Sequence, residues 1–283
     1  MNTPSISFTS LGLVVLDEIR FPNQEPLIDV LGGSGAYAKH FTYTTPLLPV
    51  HDSNLKNTPL LTSKAYHYLE TPQAIKTRVS RLLALRNEAG ALDRPFIVWE
   101  PAPYSCKPEN LQPCLDAAHV VDVVSPNHLE LVALFGESPA TAQDKATIES
   151  LARRILESGV GPDGKGTVVV RAGENGNVVV ARDIPPTWLP PFYTSGPGWT
   201  QQSKVVDPTG AGNAFLGAYA VGYLHTGNVV EAACYGTVGG SFALEQVGMP
   251  EKTDGEDGEL WNGVDVFERL AEYREVAGLG ALV

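Results

Sequence analysis

From Asp93 onward the apolar and polar positions fall into readable periods. Phe96-Ile97-Val98-Trp99 is a short apolar run, closed by Pro101 and Pro103, and predicts a buried strand. A helix is predicted over 108–118, with Leu111, Leu115 and Ala118 on one face. Residues 120–124 read as a second strand, stopped by Ser125-Pro126. Asn127 then opens a helix with Leu129, Val132, Ala133 and Phe135 turned inward. Residues 142–158 form an amphipathic helix whose stripe is Ile148, Leu151, Ala152, Ile155 and Leu156. Thr167-Val168-Val169-Val170 is a third strand. Asn175-Gly176 is a hairpin signal, so 178–181 is expected to return antiparallel. Residues 72–87 predict one more helix, capped by Thr71, opened by Pro72 and striped by Ile75, Val79, Leu82 and Leu83.

Strand and helix in alternation predict an α/β fold with a mostly parallel sheet. Residues 183–202 are rich in Pro, Gly and Trp and read as a loop. Two helices of small residues follow, over 210–224 and 229–245. Ala214, Ala218 and Ala220 in one, with Ala232, Ala233, Gly236 and Gly239 in the other, predict a close approach of the pair. An acidic loop over 254–258 precedes a last helix ending near Val276. Residues 41–64 carry Pro46, Pro49 and Pro59 with little period, and no regular structure is predicted there beyond 41–45.

Composition narrows the classes. The chain of 283 residues is 43% hydrophobic, enough to build a large core. With 20 basic and 32 acidic residues the net charge is −12, which argues against a nucleic-acid partner or an anionic membrane surface. An anionic ligand must then be held by local donors. Cys106, Cys114 and Cys234 make an odd count, expected as buried thiols in a reducing compartment. The first apolar run, Leu11 to Leu16, is too short for a signal or membrane segment, so a cytoplasmic protein is expected. The six histidines have no metal spacing and read as solvent or core residues.

The sharpest chemical feature is Val205-Val206-Asp207-Pro208-Thr209-Gly210-Ala211-Gly212-Asn213-Ala214-Phe215. Two valines are read as a strand end, then glycines open a helix. Glycines without side chains let backbone N–H groups close on an anion, and the helix adds its positive end. An ordinary strand-to-helix turn would show the same pattern.

This stretch resembles the second signature of the ribokinase-like (PfkB) sugar and nucleoside kinases, Asp-Thr-Thr-Gly-Ala-Gly-Asp in that family. Other pieces agree in order. Leu31-Gly32-Gly33-Ser34-Gly35-Ala36 resembles the first glycine motif, and Leu11-Gly12 to Asp17 the first strand with its sugar-holding acid. Glu100-Pro101-Ala102-Pro103 resembles an Asn-Pro-Ala-Pro strand end, and Asn127-His128-Leu129-Glu130 the Asn-x-x-Glu motif. Arg171-Ala172-Gly173-Glu174-Asn175-Gly176 resembles the Thr-x-Gly-x-x-Gly nucleotide loop. The wording around these motifs is most similar to a fungal branch.

The resemblance implies a ribokinase-like three-layer sandwich over 1–283, with a reduced sugar-side part over 1–64 and an α/β core over 65–283. It implies ATP, Mg2+ and a small carbohydrate-like acceptor. Asp17, Gly32 and Gly33 would take the acceptor. Gly210, Ala211 and Gly212 would hold the transferring phosphoryl, with Asn213 at the catalytic position. Asn127 and Glu130 would hold magnesium, Arg171, Gly173 and Gly176 the nucleotide, and Asp207 and Thr209 a monovalent cation. Asn127 and Glu130 also read as a helix N-cap and its capping-box partner, and the two roles can coexist.

Three departures stand out. Asn213 replaces the family's Asp base, and a neutral amide cannot accept a hydroxyl proton. Arg171 stands where a small hydroxyl residue is usual. Chain that would build a lid after the first glycine motif is missing, so the lid is expected to be reduced or absent. The sequence therefore supports an ATP-dependent phosphotransferase or, alternatively, a non-catalytic relative that binds nucleotide or a protein partner.

Overall fold

The computed structural model describes residues 7–11, 13–19, 27–32, 41–43, 48–194, 204–255 and 258–280, with backbone alone over 13–49. The chain begins with β1 (Phe8–Ser10). β2 (Leu13–Ile19), β3 (Leu27–Gly32), β4 (Phe41–Tyr43) and β5 (Leu48–Pro49) follow. They form a small antiparallel sheet in which β2 pairs with the other three. A small sheet is thus present where the resemblance predicts a reduced or absent lid.

The polar stretch before residue 65 is not structureless. It carries β4, β5 and two 3-10 turns, Asp52–Leu55 and Pro59–Thr62, which bury Leu55 and Leu61. Arginines of the next helix hold these turns. Arg78 Nη1 donates to Glu70 at 2.6 Å, Nη2 donates to Val50 O at 2.7 Å, and its Nε lies 3.3 Å from the buried Asp52 carboxylate. Arg86 Nη1 donates to Leu61 O and Ser63 O at 2.6 and 3.0 Å.

The α/β core then runs in alternation: β6 (Ala65–Glu70), α1 (Pro72–Glu88), β7 (Phe96–Pro101), α2 (Leu111–Ala118), β8 (Val123–Val124), α3 (His128–Leu134), α4 (Lys145–Gly159), β9 (Thr167–Arg171), β10 (Asn177–Ala181) and β11 (Ile184–Leu189). With β1 these strands make a seven-stranded sheet in the order β1-β6-β7-β8-β9-β10-β11. It is parallel from β1 to β9, and β10 and β11 return antiparallel. Thr71 caps α1 as expected, accepting from Ala74 N. The rest is α5 (Ala211–Thr226), α6 (Val229–Leu244), a three-stranded ribbon of β12 (Lys252–Asp254), β13 (Glu259–Trp261) and β14 (Val264–Asp265), and α7 (Val266–Val276).

Strand alternation splits the core in two. Tyr66, Tyr68, Ile97, Trp99, Val168 and Val170 face one way, packed with residues of α1 to α4. Ala65, Val98, Val123, Val169 and Val179 face the other, against α5, α6 and α7. The result is the expected three-layer α/β sandwich. α5 and α6 approach closely, as their small residues predict: a Cβ on Gly236 would lie 2.9 Å from the Phe215 ring, and one on Gly239 2.5 Å from Ala218 Cβ.

Four local expectations are corrected. Leu129 is 42% exposed and Ala133 is exposed with it, because the two lie four apart on the outer face of α3 while Leu131, Val132 and Leu134 face the core. Only Val123 and Val124 of residues 120–124 join the ladder, the preceding residues being turn. The predicted loop over 183–202 begins with a strand, β11, whose prolines an edge position tolerates. Val205 and Val206 are exposed and irregular, not a strand end. All three cysteines are buried and free, as expected.

Gly176 ends the turn between β9 and β10 at φ 81, ψ −126. A Cβ there would overlap Leu189 O and lie 2.7 Å from the Pro190 carbonyl carbon. Gly176→Ala is expected to cost about 3 kcal/mol from backbone strain and overlap together. Urea denaturation of the variant measures it, and an unchanged midpoint counts against this packing.

Candidate active site

On the side of the sheet that faces α5, several strands change from apolar to polar at the carboxyl end. Phe8 gives way to Ser10, Ala65 to His67, Val98 to Glu100, and Val169 to Arg171. Period-two alternation puts each pair on one face, so four polar side chains converge at the carboxyl edge. That edge is where open α/β sheets bind ligands.

The α5 N-terminus closes over them. Val206 N and Asp207 N both donate to Leu244 O, which anchors the segment to the end of α6. Asp207 Oδ1 then accepts from Thr209 N at 3.0 Å and Thr209 Oγ1 at 2.8 Å, making a tight turn. Gly210 is the N-cap at φ 82, a left-handed conformation that favours glycine. Nothing lies within 4 Å of a Cβ built there. Ala211 N reaches back to Pro208 O at 3.3 Å, so this amide is partly used within the turn. Gly212 and Asn213 follow in the first helical turn, where the Gly212 amide has no intrahelical acceptor.

Arg171 is the centre of the cluster. Its Nη2 donates to Glu100 Oε1 at 2.6 Å and to Ser125 O at 3.0 Å, and Glu130 Oε2 lies 3.8 Å away. Its Nη1 packs on Gly212 so tightly that a Cβ at Gly212 would overlap it. The side chain thus crosses from the end of β9 to the mouth of α5. Gly173 and Gly176 remain in the turn beyond β9, with Gly173 beside the His128 ring.

Burial alone would raise the Glu100 carboxyl, but Arg171 and His67 beside it outweigh burial and hold it at about 2. His67 Nε2 lies 3.3 Å from Glu100 Oε2, and His67 Nδ1 lies 3.1 Å from Ser10 Oγ. Neither His67 nor Glu100 stands out by spacing in the sequence; the alternation of the strands is the signal that places them together.

Asn127 caps α3. Its Oδ1 accepts from Glu130 N at 2.8 Å, and Glu130 Oε2 accepts from Asn127 N at 2.8 Å, a complete capping box. Asn127 Nδ2 also donates to Glu130 Oε1 at 2.6 Å. Burial pushes the Glu130 carboxyl up to about 7, against the pull of Arg171. A carboxyl raised above its ordinary value of 4.5 stabilises the fold fully below that value, and the contribution is lost as pH rises through 7. Glu130→Gln is expected to flatten stability between pH 4.5 and 7, a change on the order of 2 kcal/mol. Denaturation at several pH values checks it, and an unaltered slope rejects the assignment.

Of the acceptor-side residues, Asp17 lies in β2 paired with Val30 and Tyr43, and Gly32 ends β3 opposite Val15. Gly33 lies outside the described residues. Among the described residues there is no cluster of three or more His, Cys, Asp or Glu able to hold a metal, and no helix long and apolar enough to cross a membrane.

A glycine-opened helix set at the carboxyl edge of a largely parallel sheet, beside a buried acid–base cluster, belongs to a ribokinase-like α/β protein. Residues 50–254 match the pfkB family carbohydrate kinases, and the chain belongs to that family. It is 29% identical over 356 residues to Uncharacterized protein C16C9.01c of Schizosaccharomyces pombe, across 97% of this chain and 95% of that one, in keeping with the fungal branch expected. It is 39% identical over 84 residues to Inositol 3-kinase of Arabidopsis thaliana, 30% of this chain and 21% of that one. Fructokinase from Vibrio cholerae O395, in its fructose, ADP and calcium ion bound form, shares the fold with a TM-score of 0.59 and 16% identity, over 87% of this chain and 95% of that one.

Proposed function

We propose that this chain transfers the terminal phosphoryl group of ATP to a hydroxyl of a small carbohydrate-like acceptor. The observation that carries the reading is the open, left-handed Gly210 turn, with Gly212 and Arg171 in contact at the mouth of α5. Family membership and the relatives named for inositol and fructose kinases support the substrate class.

Phosphoryl transfer asks for positioning and charge neutralisation more than for covalent chemistry. A chain of net charge −12 must supply that neutralisation locally. The Gly212 amide and the positive end of α5 would face the phosphoryl oxygens. Arg171, fixed by Glu100 and Ser125 O, adds a guanidinium beside them. Gly173 and Gly176 keep the turn after β9 free of side chains on the nucleotide side. Asp17, Gly32 and Gly33 would meet the acceptor.

Asn127 and Glu130 fit a hydrated magnesium ion held through water. Each Glu130 oxygen accepts one short bond from Asn127 and retains a lone pair. Magnesium bound with ATP supplies charge neutralisation on the phosphates. Asp207 and Thr209 are the place for a monovalent cation.

Thermal unfolding with ATP and magnesium, followed by ADP release across a panel of sugars, polyols and nucleosides, tests the proposal. Stabilisation together with ADP release that depends on one acceptor class is expected. Stabilisation with no acceptor-dependent release supports a nucleotide-binding protein without turnover. Neither effect overturns the reading.

A further inference from the structure

The proposed transfer lacks its usual proton acceptor, because Asn213 cannot take the proton of the attacking hydroxyl. The structure offers another acceptor at the same edge of the sheet. Gly217 of α5 packs on the Phe8 ring at the start of β1, while Gly212 packs on Arg171 at the end of β9. α5 therefore runs from the carboxyl edge of the sheet toward the amino edge. Asn213, in its first turn, belongs to the carboxyl edge, and so does Ser10, the last residue of β1.

Ser10 is exposed and its Oγ lies 3.1 Å from Nδ1 of His67, which is only 2% exposed. On the far side of the ring, His67 Nε2 lies 3.3 Å from Glu100 Oε2. Both of those atoms are buried, and neither has a hydrogen-bond partner among the described residues. A ring nitrogen and a carboxylate oxygen buried 3.3 Å apart without other partners attract most strongly when the proton is on Nε2, even though the bond is not aligned. With that proton on Nε2, Nδ1 carries a lone pair aimed at the Ser10 hydroxyl.

Resting on the transferase reading above, we infer that Ser10, His67 and Glu100 form a proton relay that stands in for the missing carboxylate at position 213. As the acceptor oxygen forms its bond to phosphorus, its proton passes to Ser10 Oγ, and the Ser10 proton passes to His67 Nδ1. The bond from phosphorus to the bridging oxygen of ATP breaks, and ADP leaves with that electron pair. The imidazolium is held by the Glu100 carboxylate until it returns its proton to solvent. Ser10 touches the acceptor, whereas His67 and Glu100 act through it as positioning residues.

Among the described residues the charged groups around His67 are Glu100 on β7, with Arg171 on β9 and Glu130 on α3 behind it.

The test is kcat of the full chain with the acceptor found in the panel. His67→Gln is expected to lower kcat by about 10²-fold, with KM for ATP unchanged. Adding Asn213→Asp to that variant is expected to restore kcat by a similar factor, which a merely structural role for His67 would not allow. Turnover in His67→Gln at the wild-type kcat overturns the relay and leaves the transferase reading standing. A second readout needs no turnover. Nitrogen-15 NMR of His67 is expected to show the proton on Nε2 at neutral pH, and the opposite tautomer overturns the relay. Absence of turnover in the wild type with every acceptor sinks the transferase reading and the relay with it.

Discussion

Arg171→Ala is expected to destabilise the fold by about 3–5 kcal/mol at neutral pH, the loss that follows when one partner of a buried ion pair is removed. The guanidinium is 14% exposed and the Glu100 side chain 9%, so water cannot replace the lost donor at Oε1. The loss has a pH signature. Glu100 is held at about 2, below its ordinary value of 4.5, so its contribution is present above 4.5 and lost as pH falls through 2. Without Arg171, burial dominates and the carboxyl rises. The deficit of the variant should therefore be largest near neutrality and shrink in acid. Adding Glu100→Gln is expected to recover most of the stability, because it removes the stranded charge. Urea denaturation of the two single variants and the double measures this directly. A double variant as weak as Arg171→Ala would show that the lost stability lies in packing on Gly212 and not in the charge pair.

Asn213→Asp is expected to raise kcat for phosphotransfer by about tenfold or more in the otherwise unchanged chain, since a positioned carboxylate typically contributes about 10²–10⁴ and the relay supplies part of that already. Position 213 is the third residue of α5, where a carboxylate also meets the positive end of the helix and its first-turn amides. The gain in rate should thus come without a loss of stability. ADP release with a fixed acceptor measures the rate, and thermal unfolding the stability. An unchanged rate in a well-folded variant removes residue 213 from the reacting centre.

Much of the architecture is legible in the periods of the chain. The stripes of α1 and α4 and the apolar runs of β7 and β9 are local signals, and each survives in the structure. What is not legible depends on partners far away in sequence. Residues 50–64 have no period because Arg78 and Arg86, on a helix that comes later, organise them by binding Asp52 and the carbonyls of Val50, Leu61 and Ser63. The same holds at the site. The glycines before α5 and the Asn127–Glu130 cap can be read from spacing. The convergence of Ser10, His67, Glu100 and Arg171 arises only when four strands are laid side by side, and no spacing within one segment announces it.

Two departures from the family pattern, Glu100 for Asn and Arg171 for a small hydroxyl residue, touch each other at 2.6 Å. Neither can go back to the common residue by itself without stranding an ionised group in the protein interior. The two positions are thus locked to each other, and only a paired exchange leaves no ionised group stranded. Other chains that carry an arginine at the place of Arg171 should accordingly carry an acid at the place of Glu100.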